Sequence, residues 1–323
     1  MWHHRYLVKA SLLALGLVLA LGGAASAERL RVGKSSAVGF TFFPLDVGIE
    51  KGIFAKNGLE IELIQLGGSA KLHQAAVADA IDLGLGAGTD VAFLVKGAPE
   101  TVVGAIALSP ALFGIVALND SPVKTVDDLK GRRIGVSTVG SLTQWIIFQL
   151  AKKQGWKRDD VVTIPIGSET TPQLAAMQTK QVDAVLSAAA FGLNLEQQGR
   201  GRLLMPASEI VGSFLMNVIF ATDTAVKGNP DGIRRFLKAW YEAVDAMWAD
   251  KAGTVQITRA ITHYSQEVEE KEYDTVMPSF SRDGQFPPSA IAKVQQSFVE
   301  LGILEKEPDM SKYLTTAFLP KRD

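Results

Sequence analysis

The amino-acid sequence predicts an α/β fold in two similar parts followed by a helical tail, and three observations lead to it. Short apolar runs alternate with helical patterns from Leu30 to Ala221, which is typical of parallel βαβ units. The pattern of the first half recurs over about residues 116–216, as in "AAVADAIDLGLGAGTDVAFL" and "AAMQTKQVDAVLSAAAFGLN". From Asn229 onward the pattern is helical, with no further strand of consequence.

In the first half, each predicted strand ends in a loop that leads into a helix. Strands are predicted at residues 30–33, 59–66, 81–85 and 101–108, and helices at 44–50, 69–79 and 90–96. Ser69 is predicted to cap the second of these helices, and Asp90 to begin the third and to stabilise its dipole. Because ligands bind at the carboxyl ends of such strands, loops 35–41, 67–69 and 87–89 are candidate binding loops.

The second half and the tail follow the same logic. Strands are predicted at residues 113–118, 134–136, 161–166, 182–186, 203–205 and 214–221, and helices at 125–130, 142–151, 171–179 and from 187 onward. The tail predicts helices at 231–248, 254–262, 267–279 and 288–301.

The N-terminal residues predict export. Arg5 and Lys9 precede an apolar run over residues 10–23, and Ala25-Ser26-Ala27 is a small-residue cleavage signal. The alternative, an uncleaved membrane anchor, is disfavoured because the run is shorter than the roughly 18–20 residues that a span needs. We expect a secretory signal peptide over residues 1–27, cleaved after Ala27.

Composition excludes several functional classes. The chain has no cysteine, which excludes disulfides, thiolate ligands and a lipid-modified cysteine, and favours free diffusion in a Gram-negative periplasm. Loss of the two basic leader residues leaves 31 basic residues against 34 acidic ones, which argues against nucleic acid and anionic membranes as partners. His73 and His263 have no metal-ligand spacing, and we expect no metal, cofactor or catalytic residue.

The stretch from Gly135 to Trp145 is the most suggestive candidate site. Ser137, Thr138, Ser141 and Thr143 offer hydroxyls, and the helix start offers unpaired N–H groups, a combination that can hold an anion or a polar head group. The alternative is an ordinary strand–loop–helix junction with Ser141 as N-cap. A nucleotide site at glycines 84, 86 and 88 is disfavoured, because the third glycine is misplaced and no Walker lysine follows.

Two stretches resemble a known family. "FFPLDVGIEKGIFAKNGLEIELIQLGGSAKLHQAAVADAIDLGLG" resembles the first domain of the periplasmic solute-binding proteins for nitrate, sulfonate, taurine and thiamine-pyrimidine precursors. "TVDDLKGRRIGVSTVGSLTQW" and "QVDAVLSA" resemble the second domain of the same family. The resemblance covers essentially the whole chain after the leader, and the EKGIF…GLE element is fairly specific.

The resemblance implies a type II periplasmic binding fold, in which two Rossmann-like lobes are joined by a two-stranded hinge. Lobe 1 would comprise residues 28–116 and 217–323, with the helical C-terminal segment packed on it, and lobe 2 residues 117–216. The hinge crossings are expected near 115–118 and 216–220. The implied function is the extracytoplasmic solute-binding component of an ABC importer, a monomer without enzymatic activity that delivers its solute to the transmembrane permease subunits.

The resemblance also implies a solute site in the cleft between the lobes. Phe40, Phe42 and Phe43 are candidates for its wall, although at least two of them are expected in the core, as is Trp145. Asn217 lies in an apolar run, where a buried amide needs a partner or a ligand. The implied contacts are Ser35, Phe40, Thr41, Gly68, Ser69, Gly88, Thr89, Ser137, Thr138, Gly140, Ser141, Thr143, Ala188, Phe191 and Asn217.

The solute itself is predicted from the polarity of these loops. They offer hydroxyls and glycines, with Lys34 the nearest cation and itself expected to be solvated, so a small organic anion, sulfonate- or carboxylate-like, is favoured over nitrate or taurine. The alternative is a neutral pyrimidine-type solute. Iron-dependent pyrimidine-synthesising enzymes of the same fold use a cysteine-rich motif and active-site histidines, and the absence of cysteine disfavours that activity.

Overall fold

The computed structural model describes residues 27–321. The predicted signal peptide lies outside these residues, apart from Ala27. Within this range no helix combines the length and the apolar character that crossing a bilayer requires.

Ten strands in the described range form two five-stranded sheets. The strands are β1 (Glu28–Lys34), β2 (Leu59–Gln65), β3 (Leu83–Ala87), β4 (Glu100–Ala107), β5 (Phe113–Leu118), β6 (Arg133–Val136), β7 (Val162–Pro165), β8 (Ala184–Ala188), β9 (Gly201–Pro206) and β10 (Asn217–Thr222). The first sheet has the order β2-β1-β3-β10-β4 and the second β7-β6-β8-β5-β9. Within each sheet one strand runs antiparallel to its neighbours, β10 in the first and β5 in the second.

Thirteen α-helices within the same range flank the sheets and form the tail. They are α1 (Phe43–Glu50), α2 (Ile53–Lys56), α3 (Ser69–Val77), α4 (Val91–Val95), α5 (Leu142–Lys153), α6 (Thr170–Gln178), α7 (Ala189–Gln197), α8 (Ala207–Val211), α9 (Asp223–Gly228), α10 (Pro230–Ala249), α11 (Lys251–Thr262), α12 (Gln266–Val276) and α13 (Pro288–Glu300). The prediction of two α/β sheets and a helical tail is therefore confirmed.

The chain passes between the two sheets at residues 108–112 and 212–216, which join β4 to β5 and α8 to β10. The expected crossing at residues 115–118 lies inside β5, and 217–220 lies inside β10. The family resemblance placed the crossings on these two runs, but each run is a strand that pairs with two neighbours inside one sheet. We call the first sheet with its packed elements the first lobe, and the second sheet with its packed elements the second lobe. The predicted lobe boundary at 116/117 falls inside β5. The division of the chain into two lobes at 116/117 and 216/217 stays a prediction.

The helical tail contacts both lobes. Helices α10 and α11 pack on α1 of the first lobe, as predicted. Helix α12 contacts α7 of the second lobe as well as the 3-10 turn Phe40–Phe42 of the first, and α13 contacts α5. Hydrogen bonds accompany these contacts: Trp145 Nε1 and Gln149 Nε2 each donate to Glu300 Oε2 at 2.6 Å, and Ser265 Oγ donates to Gln197 Oε1 at 2.7 Å.

Candidate functional site

Three loops of the first lobe converge at the carboxyl edge of its sheet. The N–H of Gly68 donates to Ser35 O at 2.7 Å, and the N–H of Ser35 donates to Leu85 O at 3.1 Å. The N–H of Gly88 donates to Met216 O at 2.9 Å, which brings the loop after β3 to the start of β10. The structure therefore brings together the predicted loops after β1, β2 and β3.

Asn217 is a buried amide at this edge. It is the first residue of β10, pairs with Ala87 and Ala107, and is only 4% exposed. Its Nδ2 donates to Gly86 O at 3.2 Å, while its Oδ1 has no hydrogen-bond partner among residues 27–321. A buried acceptor without a partner costs about 1–3 kcal/mol, so Asn217 is a strong candidate for contact with a solute.

Thr41 shares this property, whereas Phe40 does not offer an open wall. Thr41 is fully buried in the turn Phe40–Phe42, and its Oγ1 makes no hydrogen bond with the described part of the chain. Phe40 is also fully buried and packs edge-on against Phe43, Tyr273 and Phe280. Phe42 and Phe43 are buried as well, so all three aromatic rings belong to the core.

The smaller residues of these loops have different roles. Ser35, Ser69 and Thr89 are half-buried, and their hydroxyls make no hydrogen bond with other described residues, which leaves them available to a solute. The expectation that Ser69 caps α3 is wrong: the N-cap is Gly68, whose φ of +130° only glycine adopts readily. Gly88 approaches the second crossing so closely that an added Cβ would overlap the Leu215 carbonyl oxygen.

The predicted hydroxyls of the second lobe bond mainly to one another. Thr143 Oγ1 accepts the N–H of Ser137 at 2.9 Å and lies 2.9 Å from both Ser137 Oγ and Ser141 Oγ. Ser141 Oγ accepts the N–H of Gln144 at 3.3 Å and donates to Thr138 O at 2.7 Å. Ser141 is thus the N-cap of α5, the alternative open from the sequence.

The remaining second-lobe candidates serve the turn and the core. Gly140 has a φ of +75°, and its N–H donates to Gln144 Oε1 at 2.8 Å. Ala188 ends β8 and pairs with Phe113. Phe191 is 5% exposed and packs in a small cluster with Val116, which leaves little of its ring for a solute.

Lys34 is not solvated, contrary to expectation. Its side chain is fully buried, and Nζ lies 2.6 Å from Asp46 Oδ2, with Phe43 beneath the ammonium group. Burial raises the pKa of Asp46, and the charge of Lys34 opposes that rise. Because Lys34 is already paired with Asp46, it is not available as a cation for an anionic solute.

His73 forms a buried cluster beneath the loop after β3. Its Nδ1 lies 2.6 Å from Glu100 Oε2, and its Nε2 lies 3.5 Å from Asp90 Oδ2, an ion-pair distance rather than a short hydrogen bond. Burial lowers the pKa of His73, but the contacts with Asp90 and Glu100 outweigh it and raise the pKa to about 9. Asp90 precedes α4 as expected, and its Oδ2 also accepts the N–H of Ala87 at 3.0 Å, which ties the cluster to the loop.

Glu272 of α12 is a buried acid that the sequence did not single out. It is 2% exposed, and its Oε2 makes no hydrogen bond within residues 27–321. Burial raises the pKa of its carboxyl well above the usual range, and the nearby Glu269 adds to the rise. The polar run "QEVEEKEYDTV" gave no signal, because most acids in such a helix face solvent.

Two other features lie apart from these loops. A groove of about 430 Å³ is lined by α5 and its following turn, with Trp156, Arg158 and Glu300, and includes none of the predicted site residues. Within the described range, no group of three or more His, Asp or Glu side chains is placed to hold a metal ion.

Comparison with known proteins decides the family. The model of the NMT1/THI5-like family matches residues 40–252, which is more than half of the chain. The chain belongs to the NMT1/THI5-like family. This match confirms the family resemblance seen in the sequence.

Relatives of this NMT1/THI5-like protein carry names for thiamine biosynthesis, for pyrimidine phosphate synthesis and for binding. The last is a Bacillus subtilis protein named a putative binding protein, 22% identical over 92% of this chain and 90% of its own length. A Haemophilus influenzae protein named for thiamine biosynthesis is 32% identical over 157 residues, which are 47% of this chain and 48% of that protein. The chain thus aligns with about half the length of that relative. An Aspergillus parasiticus protein named 4-amino-5-hydroxymethyl-2-methylpyrimidine phosphate synthase is 24% identical over 82% of this chain and 80% of its own length.

Solved structures confirm the fold. The periplasmic aliphatic sulphonate binding protein SsuA from Escherichia coli superposes with a TM-score of 0.75 and 20% identity, covering 89% of this chain and 92% of its own. At that identity the likeness shows the fold of a periplasmic binding protein.

Proposed function

We propose that this NMT1/THI5-like protein captures a small polar solute between its lobes and delivers it to the transmembrane subunits of an ABC importer. The role is extracytoplasmic, after cleavage of the leader at Ala27, and involves no chemical change of the solute. The observation that carries the proposal is the edge of the first sheet, where Thr41 Oγ1 and Asn217 Oδ1 are buried without partners. Solute atoms that complete these bonds hold the solute on the first lobe, and contacts that only the closed form offers then favour closure.

A neutral pyrimidine-type solute fits the polar groups best. The hydroxyls at α5 bond among themselves, and Lys34 is paired with Asp46. Neither group therefore offers an anion a free hydrogen-bond donor or an unpaired cation. The unpartnered atoms on the first lobe are instead hydrogen-bonding groups of the kind that read a heterocycle. The relatives named for thiamine biosynthesis and for pyrimidine phosphate synthesis support the same class.

The second candidate is the small organic anion favoured from the sequence. The start of α5 keeps the positive end of its helix dipole beside Thr143, which attracts anions. The name of the E. coli neighbour, a sulphonate binding protein, points to the same class. Nitrate and taurine rank below it, since they offer fewer contacts to the loops or require a separate site for an amine.

A thermal-shift screen of the chain from Glu28 onward tests the proposal. The panel contains 4-amino-5-hydroxymethyl-2-methylpyrimidine, alkanesulfonates, carboxylates, nitrate and taurine. A ligand at 100 times its dissociation constant adds about 2.7 kcal/mol to the free energy of unfolding, a shift of several degrees. We expect the shift with the pyrimidine, and mass spectrometry of the recovered solute should find it unmodified. A shift with anions alone would support the second candidate, and conversion of the solute would establish an enzyme.

A further inference from the structure

Glu272 is a buried acid whose charged form no neighbouring basic side chain stabilises. Its Oε2 is buried without a hydrogen bond, and no Lys, Arg or His of the described residues forms an ion pair with it. The charged group that acts most on it is Glu269, which has the same sign and already accepts hydrogen bonds from Thr258 and Thr262. Burial of a carboxyl without a partner is costly, and such a group persists where function uses it.

The helix that carries this carboxyl, α12, contacts both α7 of the second lobe and the turn Phe40–Phe42 of the first. Successive helix residues are rotated by about 100°. Glu269 faces α11 through Thr258, and Tyr273 faces the Phe40 ring, whereas Glu267 reaches Gln197 of α7. By this rotation Glu272 lies on the buried side of α12, about 60° from Glu269 and about 140° from Glu267.

Thr41 lies in that turn and carries another of the unpartnered buried atoms. The two contacting elements thus carry a hydroxyl and a carboxyl, each with an unused hydrogen-bonding position that a polar ring can fill. Glu272 also lies beyond the residues 40–252 that the family model matches.

We infer that Glu272 is a specificity-determining residue of the solute site, and that it binds an N–H-donating group of the amine or amidine class. This inference rests on the proposed solute capture and deepens it. A carboxyl accepts one or two hydrogen bonds from such a group, which favours its ionised form, whereas a sulfonate or carboxylate brings it no N–H donor. Glu272 thus explains how a site rich in hydroxyls can exclude simple anions.

The test compares Glu272→Gln with Glu269→Gln, a neighbouring buried acid whose oxygens already bond to Thr258 and Thr262. Calorimetric titration uses 4-amino-5-hydroxymethyl-2-methylpyrimidine and its analogue with a carbonyl in place of the amino group. We expect Glu272→Gln to weaken the amino compound about 10- to 100-fold and to reduce its preference over the analogue. Glu269→Gln should leave both affinities within about threefold.

Melting temperature without solute provides the second readout. A ligand-binding role predicts that Glu272→Gln melts at the same temperature as the wild type or higher, because an unpartnered buried acid is removed. Unchanged affinity in Glu272→Gln, or a large fall in melting temperature with affinity retained, would overturn the role of Glu272 and leave the proposed solute capture intact. Failure of the wild type to bind any compound of the solute panel would overturn the proposed capture and the assignment with it.

Discussion

The two halves of the candidate site use their polar groups in opposite ways. On the first lobe, Thr41 Oγ1 and Asn217 Oδ1 are buried and unpartnered, and the hydroxyls of Ser35, Ser69 and Thr89 are unused within the described range. On the second lobe, Ser137, Ser141 and Thr143 satisfy one another and cap α5. From the sequence, the second half was expected to offer more hydroxyl groups to a solute. A hydroxyl that caps a helix, however, is already hydrogen-bonded and is not available to a solute. We therefore propose that the first half recognises the solute and that the second half serves as scaffold.

The first half is also held by buried charge, which the second half lacks among the described candidates. Lys34 with Asp46, and His73 with Asp90 and Glu100, lie directly beneath the loops that converge there. Such clusters fix side chains rigidly, because moving one member leaves the other unpaired in a medium of low dielectric. We expect perturbation of the first half to cost more than perturbation of the second.

The largest effect is expected from breaking the buried ion pair. Lys34→Met should lower the free energy of unfolding by about 3–5 kcal/mol, because Asp46 would lose its partner while remaining largely buried. Urea unfolding at pH 7 measures this loss. The double variant Lys34→Met/Asp46→Leu should be more stable than Lys34→Met alone, and a purely additive loss would contradict the pairing.

The His73 cluster makes stability depend on pH. Its pKa is about 9 in the folded protein and about 6.5 in the unfolded chain. Protonation therefore stabilises the fold fully below pH 6.5, and about 3 kcal/mol is lost as pH rises through 9. Unfolding free energies between pH 6 and pH 10 should fall more steeply for the wild type than for His73→Gln. Parallel curves would show that the imidazole carries no charge in the native state.

Two glycines compare the halves directly. Gly88→Ala should lose about 1–3 kcal/mol, since its Cβ would overlap the Leu215 carbonyl on the second crossing. Gly140→Ala should lose about 1 kcal/mol, because its φ is +75° but no atom lies near the added Cβ. Chemical denaturation of both variants ranks the costs, and a larger loss for Gly140→Ala would reverse the comparison.

The smallest effect is expected at the cap of α5. Ser141→Ala should lose about 1 kcal/mol, because Gln144 N–H loses its acceptor. Thr138→Ala, an exposed neighbour whose hydroxyl makes no hydrogen bond with described residues, is the matched control and should change stability by less than about 0.5 kcal/mol. If thermal unfolding shows the same loss of stability for Ser141→Ala and Thr138→Ala, Ser141 does not stabilise α5 as its cap.

The architecture could be predicted from the sequence because the spacing of apolar residues reflects which face of each helix or strand is buried, and helix-breaking residues mark where helices end. The tail shows this best: helices predicted at 231–248 and 288–301 occur as α10 and α13 within a residue or two. The crossings that the family resemblance implied fell inside β5 and β10, whereas the chain crosses in the segments just before these strands. Sequence alone places neither their pairing partners nor their sheet.

The site was harder to predict because partners distant in sequence decide whether a polar group is free. Lys34 looked solvated until Asp46, twelve residues on, proved to cover it, and Glu100 reaches His73 from 27 residues away. Thr41 and Asn217 were predicted as site residues, and the structure shows them unpartnered, although contact with a solute stays a prediction. Glu272 gave no signal, since only the packing of α12 buries it.

Calorimetric titration of the preferred solute into Asn217→Ala and into the double variant Ser141→Ala/Thr143→Ala tests the central claim most directly. If the first half recognises the solute, Asn217→Ala weakens binding by about tenfold or more, because the solute loses a buried hydrogen-bond partner. The double variant then binds within about threefold of the wild type, since its hydroxyls serve α5. The reverse pattern, with binding lost in the double variant and kept in Asn217→Ala, would contradict the account.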